Sequence, residues 1–182
     1  MPDFEKSASC AAADAISDFR ATGSGYFLEQ ATRPQTIGYA LLDSPVALAA
    51  WMLDHDTDAY YKISRAFVDR QPVGNLTRDH VLDNITLYWL TGTGASAARS
   101  YWESYGAAAV ATAAGEPPPE VSVSVGFTTF PGEIWRTPRS WVEKSYPDVV
   151  YFNEVDRGGH FAAWEEPELF STEVRAAFRS LR

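Results

Sequence analysis

The sequence predicts an α/β protein in two parts: a helical region first, then strand, helix, strand, helix. Three observations predict it. Apolar residues recur at helical spacing up to about residue 112. Gly115 and the run Pro117-Pro118-Pro119 then break the pattern. Beyond the break, two β-branched apolar runs alternate with helical stretches, the pattern of parallel strands joined by helices.

Taken in order, residues 1–25 are rich in Ala, Ser and Asp and predict an N-terminal segment with a loose helix, ended by a turn at Gly23-Ser24-Gly25. The helical region runs from 26 to 112. Its first clear helix is Ser44 to Leu53, with Ser44 as cap and Pro45 in the first turn, where a missing N–H does no harm. A second helix spans Thr77 to Leu90. There Val81, Leu82, Ile85, Tyr88 and Trp89 share a face at spacings of three and four. Thr91-Gly92-Thr93-Gly94 interrupts it, and a third helix covers Ala95 to Ala109.

Residues 113–120 read as a Pro-rich linker, and 121–182 as the α/β part. Val121, Val123 and Val125 alternate with serines, which predicts a strand near 121–126. Thr137-Pro138 opens a short helix that stops before Pro147. Val149-Val150-Tyr151-Phe152 has the continuous apolar character of a buried parallel strand near 149–155. Pro167 opens a last helix, with Leu169, Phe170, Val174, Phe178 and Leu181 as its expected inner face.

Composition narrows the partners. At 46% hydrophobic and 21% charged the chain is ordinary globular protein, and 182 residues suit one domain. The net charge of −9, with no dense Lys/Arg cluster, argues against nucleic acid, because an acidic chain repels phosphate. The single cysteine, Cys10, cannot close an internal disulfide, so nothing demands an oxidising compartment. The first residues lack a signal peptide's basic and apolar regions. The longest strongly apolar stretch, Pro45 to Leu53, is too short to cross a bilayer. A cytoplasmic protein without a transmembrane segment is the expectation.

The two strand-to-helix junctions carry the chemistry. In open α/β sheets, ligands sit beyond the carboxyl ends of the strands. The first strand leads into Gly126 to Glu133, the second into Asp156-Arg157-Gly158-Gly159-His160. A carboxylate and an imidazole therefore leave the same sheet edge. The carboxylate of Glu133 can accept the Nδ1–H of His160, fix its tautomer and stabilise its charged form, so that the far nitrogen acts as a base on water. The competing reading makes His160 an ordinary loop histidine and Glu133 a solvated surface carboxylate. The glycine pair before His160 favours the first reading, since it suits a tight turn.

Four segments carry a resemblance. Residues 157–168, RGGHFAAWEEPE, resemble the histidine motif of epoxide hydrolases in the α/β-hydrolase superfamily. FTTFPGEIW, 127–135, resembles the segment bearing their charge-relay acid. SGYFLEQATRPQTIGYALLDSPVALAAW, 24–51, resembles the start of their helical lid, and NITLYWLTGTGASAARSY, 84–101, its later helices. The resemblance runs from about residue 20 to the C-terminus, and a Glu as relay acid points to the microsomal type. It implies a partial α/β-hydrolase fold: a helical lid (cap) at 26–112 followed by the last two parallel strands and helices of the core.

The resemblance also implies roles. His160 is then the base that activates the hydrolytic water, and Glu133 orients it. Tyr26 and Tyr101 are the lid tyrosines whose hydroxyls hold the epoxide oxygen; their opening onto one cavity that His160 faces is part of the expectation. Two phenols suit an opening epoxide because they share the alkoxide's charge and supply a proton. Tyr105, one turn on, is the rival for Tyr101; Tyr39 and Tyr88 are expected to be structural. Trp51, Trp89 and Trp102 are candidates to line the substrate pocket, with core packing as the competing role for at least two of them. The implied reaction needs no cofactor and no metal, and its substrate is a small apolar epoxide.

In the family mechanism an aspartate on a nucleophile elbow ahead of the lid forms an ester with the substrate. Asp43, Asp69 and Asp83 lie in lid segments and do not match that aspartate. The expectation is therefore a C-terminal portion without its nucleophile. Two other readings stand beside it. One is an interaction module that pairs with a separate N-terminal half or regulates an intact homologue by occupying its interface; the other is an inactive remnant. The expected protein partner is that N-terminal half or, in a homo-oligomer, a further copy of the chain. A haloalkane dehalogenase shares the fold, but two lid tyrosines suit an oxyanion better than a halide.

Overall fold

A computed structural model describes residues 3–54, 65, 75–115 and 120–181. The Pro-Pro-Pro break and Asp69 lie outside the described residues. The described helices are α1 (Asp3–Asp18), α2 (Gly25–Thr32), α3 (Pro34–Asp43), α4 (Pro45–Leu53), α5 (Arg78–Thr91), α6 (Gly94–Tyr101), α7 (Ala107–Ala113), α8 (Arg139–Ser145), α9 (Ala162–Glu165) and α10 (Pro167–Ala177). The described strands are β1 (Val125–Thr129) and β2 (Val149–Glu154). Two compact units emerge. One comprises Thr22–Gln71 and Thr77–Pro119; the other comprises Met1–Ala21, Pro72–Leu76 and Glu120–Arg182.

The first unit is helical throughout its described residues. Ser44 caps α4 by accepting the Ala47 N–H at 3.2 Å, with Pro45 next in line, and Thr77 caps α5 by accepting the His80 N–H at 3.2 Å. These satisfy donors that a helix start otherwise leaves unpaired. Gly92, at φ +63°, ends α5 in the left-handed region. Leu41, Leu48 and Ala98 form the buried centre, and Ile37, Trp51, Met52, Tyr88 and Trp89 pack around them. On α5, Val81 and Ile85 are buried but Leu82 is exposed. Leu82 stands about 100° round the helix from Val81, which turns it off the inward face. The expected third helix is interrupted. A π-helical turn, Trp102–Gly106, separates α6 from α7.

The second unit holds the sheet. β1 and β2 are parallel and adjacent, with α8 as the crossover between them. The first strand lies later than its valines suggest. Val123 is largely exposed, and pairing begins only at Val125, whose N–H donates to the Asp148 carbonyl at 2.9 Å. β-branching marks a residue that suits a strand; a partner across the ladder makes one. The final helix differs too. Its buried residues are Glu173 and Ala177, while Phe170, Val174 and Phe178 are 38%, 40% and 45% exposed. The inward stripe is thus rotated from the apolar one, because Glu173 finds hydrogen-bond donors beneath it.

Candidate active site

The sheet positions Glu133 and His160. Beyond the ladder, Gly132 and Gly159 form a parallel bridge, and the Gly132 N–H donates to the Gly158 carbonyl at 3.0 Å. The very next residues on each side are Glu133 and His160. His160 Nδ1 lies 2.6 Å from Glu133 Oε1, and the Ile134 N–H donates to the same oxygen at 2.9 Å. An ionised carboxylate only accepts, so the pairing assigns the proton to Nδ1. Both side chains are about one-third exposed, 33% and 34%. The hydrogen-bonded pair is therefore accessible to water.

Gly158 makes the turn possible. Its φ is +91°, a region that residues with a Cβ rarely enter. A Cβ there would also lie 2.8 Å from Phe130 Cδ1. Buried Phe130 thus fills the space that a side chain at 158 would need. Past the histidine, the Phe161 N–H donates to Glu165 Oε1 at 3.3 Å. Glu165 is only 3% exposed, and its carbonyl accepts the Asn75 N–H at 2.6 Å. This buried carboxylate, which anchors the backbone next to His160, is absent from the sequence reading. Its signal was the four-residue spacing from Phe161, which one helical turn brings back to the turn's start. On the other flank, the Trp135 ring lies tilted against Phe19, centroids 5.9 Å apart, and Glu133 borders an open cleft of about 390 Å³ against α1.

In the helical unit, Tyr26 and Tyr101 are neighbours, with ring centroids 6.4 Å apart and edge-on. Phe27 lies against both Tyr101 (5.8 Å) and Tyr105 (5.0 Å). Burial first, then the nearby phenols of Tyr105 and Tyr88, raise the Tyr101 pKa above its usual value. Its hydroxyl therefore holds its proton at neutral pH and can donate. Tyr105 sits on the π-helical turn, 5.9 Å from Tyr101 and half-exposed. Of the tryptophans, Trp51 and Trp89 pack on the Leu41–Leu48–Ala98 centre, and the Trp51 Nε1–H donates to Gln30 Oε1 at 3.4 Å. Trp102 is half-exposed, with the Arg99 guanidinium 5.9 Å above its ring. Tyr39 is 68% exposed, and Tyr88 packs on the core.

No protein-family model matches the chain. Individual relatives do. Over 166 residues, 90% of this chain, it is 47% identical to a Stigmatella aurantiaca protein provisionally named an epoxide hydrolase. Over 152 residues it is 40% identical to epoxide hydrolase 1 of Sus scrofa, covering 84% of this chain. The chain spans about a third of the length of these curated relatives, 34% and 33%. Among solved structures, juvenile hormone epoxide hydrolase from Bombyx mori superposes over the whole chain and 43% of its own, with a TM-score of 0.77 and 28% identity. The Aspergillus niger epoxide hydrolase superposes with a TM-score of 0.70 at 27% identity, over 41% of its chain. In sequence, and in a partial α/β-hydrolase fold, the chain belongs to the epoxide hydrolase family.

Proposed function

We propose that this chain supplies the water-activating half of an epoxide hydrolase, which converts small apolar epoxides to vicinal diols. The observation that carries the reading is the 2.6 Å contact between His160 and Glu133 at the strand ends. His160 is the base that takes a proton from water, and Glu133 holds its tautomer and stabilises the imidazolium. Tyr26 and Tyr101 are the proton donors to the epoxide oxygen as its C–O bond opens. Their adjacency and the raised pKa of Tyr101 support this role. Trp102 is the tryptophan best suited to meet substrate, since Trp51 and Trp89 are engaged in the core. The reaction uses neither cofactor nor metal, and we assign the chain to the cytoplasm.

By the family's mechanism, a carboxylate attacks an epoxide carbon and forms an ester, and the activated water then hydrolyses that ester to release the diol. None of Asp43, Asp69 and Asp83 occupies a nucleophile's position in the resemblance, so the attacking carboxylate comes from chain outside these residues. General-base help alone is worth only about 10²–10⁴-fold. The test is an epoxide-to-diol assay on the purified chain and on the chain co-expressed with the complementary half of a close homologue, with His160→Ala as control. The expected result is negligible turnover alone and turnover restored by the partner, lost again in His160→Ala. Robust turnover by the chain alone, abolished in His160→Ala, would overturn the assignment of the nucleophile elsewhere. Absence of turnover in every combination would favour a non-catalytic interaction module or an inactive remnant.

A further inference from the structure

The β1–β2 ladder does not keep one register. Val125 pairs with Val149, but Gly126 pairs with Tyr151, so β2 gains a residue at that point. Thr128 then pairs with Asn153, and beyond the ladder Gly132 pairs with Gly159. The offset between partners is therefore 24, then 25, then 27 residues. Parallel backbone hydrogen bonds are evenly spaced and do not themselves choose an offset. Side chains on one face must choose it. Glu133 and His160 share the last offset, 27, and a slip of two residues would move one past the other by about 6.6 Å. Their hydrogen bond would not survive it.

One side chain reads the middle offset directly. Glu173 of α10 is 8% exposed. Its Oε2 accepts from Thr128 Oγ1 at 3.0 Å, Asn153 Nδ2 at 3.0 Å and Tyr151 OH at 2.9 Å. Thr128 and Asn153 are partners across the ladder, and Tyr151 is two residues from Asn153 on the same face. One turn further along α10, Ala177 lies against Gly126, where an added Cβ would come within 2.8 Å of the Ala177 Cβ. The helix thus sits close at the register change, and its carboxylate bridges the two strands just beyond it. Any other offset would remove at least one donor from a buried carboxylate, which is costly.

We propose that Glu173 is a positioning residue for the His160–Glu133 pair: by bridging Thr128, Asn153 and Tyr151 it locks the strands at an offset of 25, and so fixes where the two loops that carry Glu133 and His160 leave the sheet. The proposal rests on the reading of that pair given above. It acts through the strands and not by contact with a reacting atom.

The test uses the full 182-residue chain and the low-field NMR resonance of the His160 Nδ1–H, identified by its loss in His160→Gln. Spectra are taken where circular dichroism shows each variant folded. Glu173→Leu keeps the bulk but removes the acceptor, and the resonance should vanish. Glu173→Gln retains an acceptor oxygen and should restore it. Should Glu173→Leu fail to fold, Thr128→Val decides, because it removes one strand's donor and should shorten the resonance's exchange lifetime severalfold. A Glu173→Leu chain with a lower melting temperature but an unchanged resonance would overturn the proposal while leaving the pair intact, as would a Thr128→Val lifetime equal to wild type. Absence of the resonance in the wild-type chain would overturn the pair itself, and the proposal with it.

Discussion

Gly132 and Gly159 face each other across the sheet edge, and each immediately precedes one member of the Glu133–His160 pair. A parallel bridge at this point means the backbone, not side-chain reach, sets the distance between acid and imidazole.

Gly158→Ala should be among the most damaging single-methyl changes in the second unit. The left-handed backbone alone costs about 1–2 kcal/mol with a Cβ present, and the contact with Phe130 adds to it. Urea denaturation should show a loss of at least about that size. The His160 Nδ1–H resonance should weaken under native conditions, because the Gly132–Gly158 hydrogen bond borders the pair. An unfolding midpoint equal to wild type would refute this.

Glu133→Gln removes the negative charge beside His160 while keeping its shape. The His160 Nδ1–H then meets a neutral amide oxygen, a weaker acceptor than a carboxylate, so its exchange with water should quicken. The exchange lifetime of its low-field NMR resonance measures it. A lifetime unmoved by the substitution would mean that the 2.6 Å contact carries no weight in solution.

Tyr101 should titrate above the usual phenol value, and Tyr105→Phe should bring it partway down. Burial is the largest cause and remains, whereas the neighbouring phenol's charge is removed. Phenolate absorbance, compared with and without Tyr101→Phe, isolates the group. A Tyr101 midpoint at or below about 10 would contradict the arrangement.

Tyr151 is also raised, first by burial and then by its hydrogen bond to Glu173. A phenol whose folded-state pKa exceeds its unfolded one stabilises the fold fully below about pH 10 and loses that contribution as pH rises through the folded value. Thermal stability should therefore decline above about pH 10, and Tyr151→Phe should flatten the decline. An equally steep decline in the variant would assign it to other groups.

Ser44→Ala and Thr77→Ala each delete a helix cap seen to accept a backbone N–H. Each should cost about 1 kcal/mol. The caps serve different helices, so the double variant should lose about the sum. A neutral result at either position, read by chemical denaturation, would show that water replaces that cap.

Local chemistry alone determined several features of this protein. Ser44-Pro45 and Thr77 start α4 and α5 because a cap and its helix are neighbours in the chain. The strand at Val149–Glu154 was legible from its β-branched and aromatic start, although its residues are partly rather than fully buried. The adjacency of Glu133 and His160 was legible because each lies a few residues past a strand end, and both strands run the same way. Tertiary structure alone decided the rest. Val121 and Val123 have the composition of a strand but pair with no strand among the described residues, and β1 begins at Val125. Phe170, Val174 and Phe178 make the more apolar stripe of α10, yet Glu173 and Ala177 face the sheet. The reason is physical. A carboxylate can be buried when three donors meet it, and those donors come from residues 128, 151 and 153, which only folding brings beside residue 173.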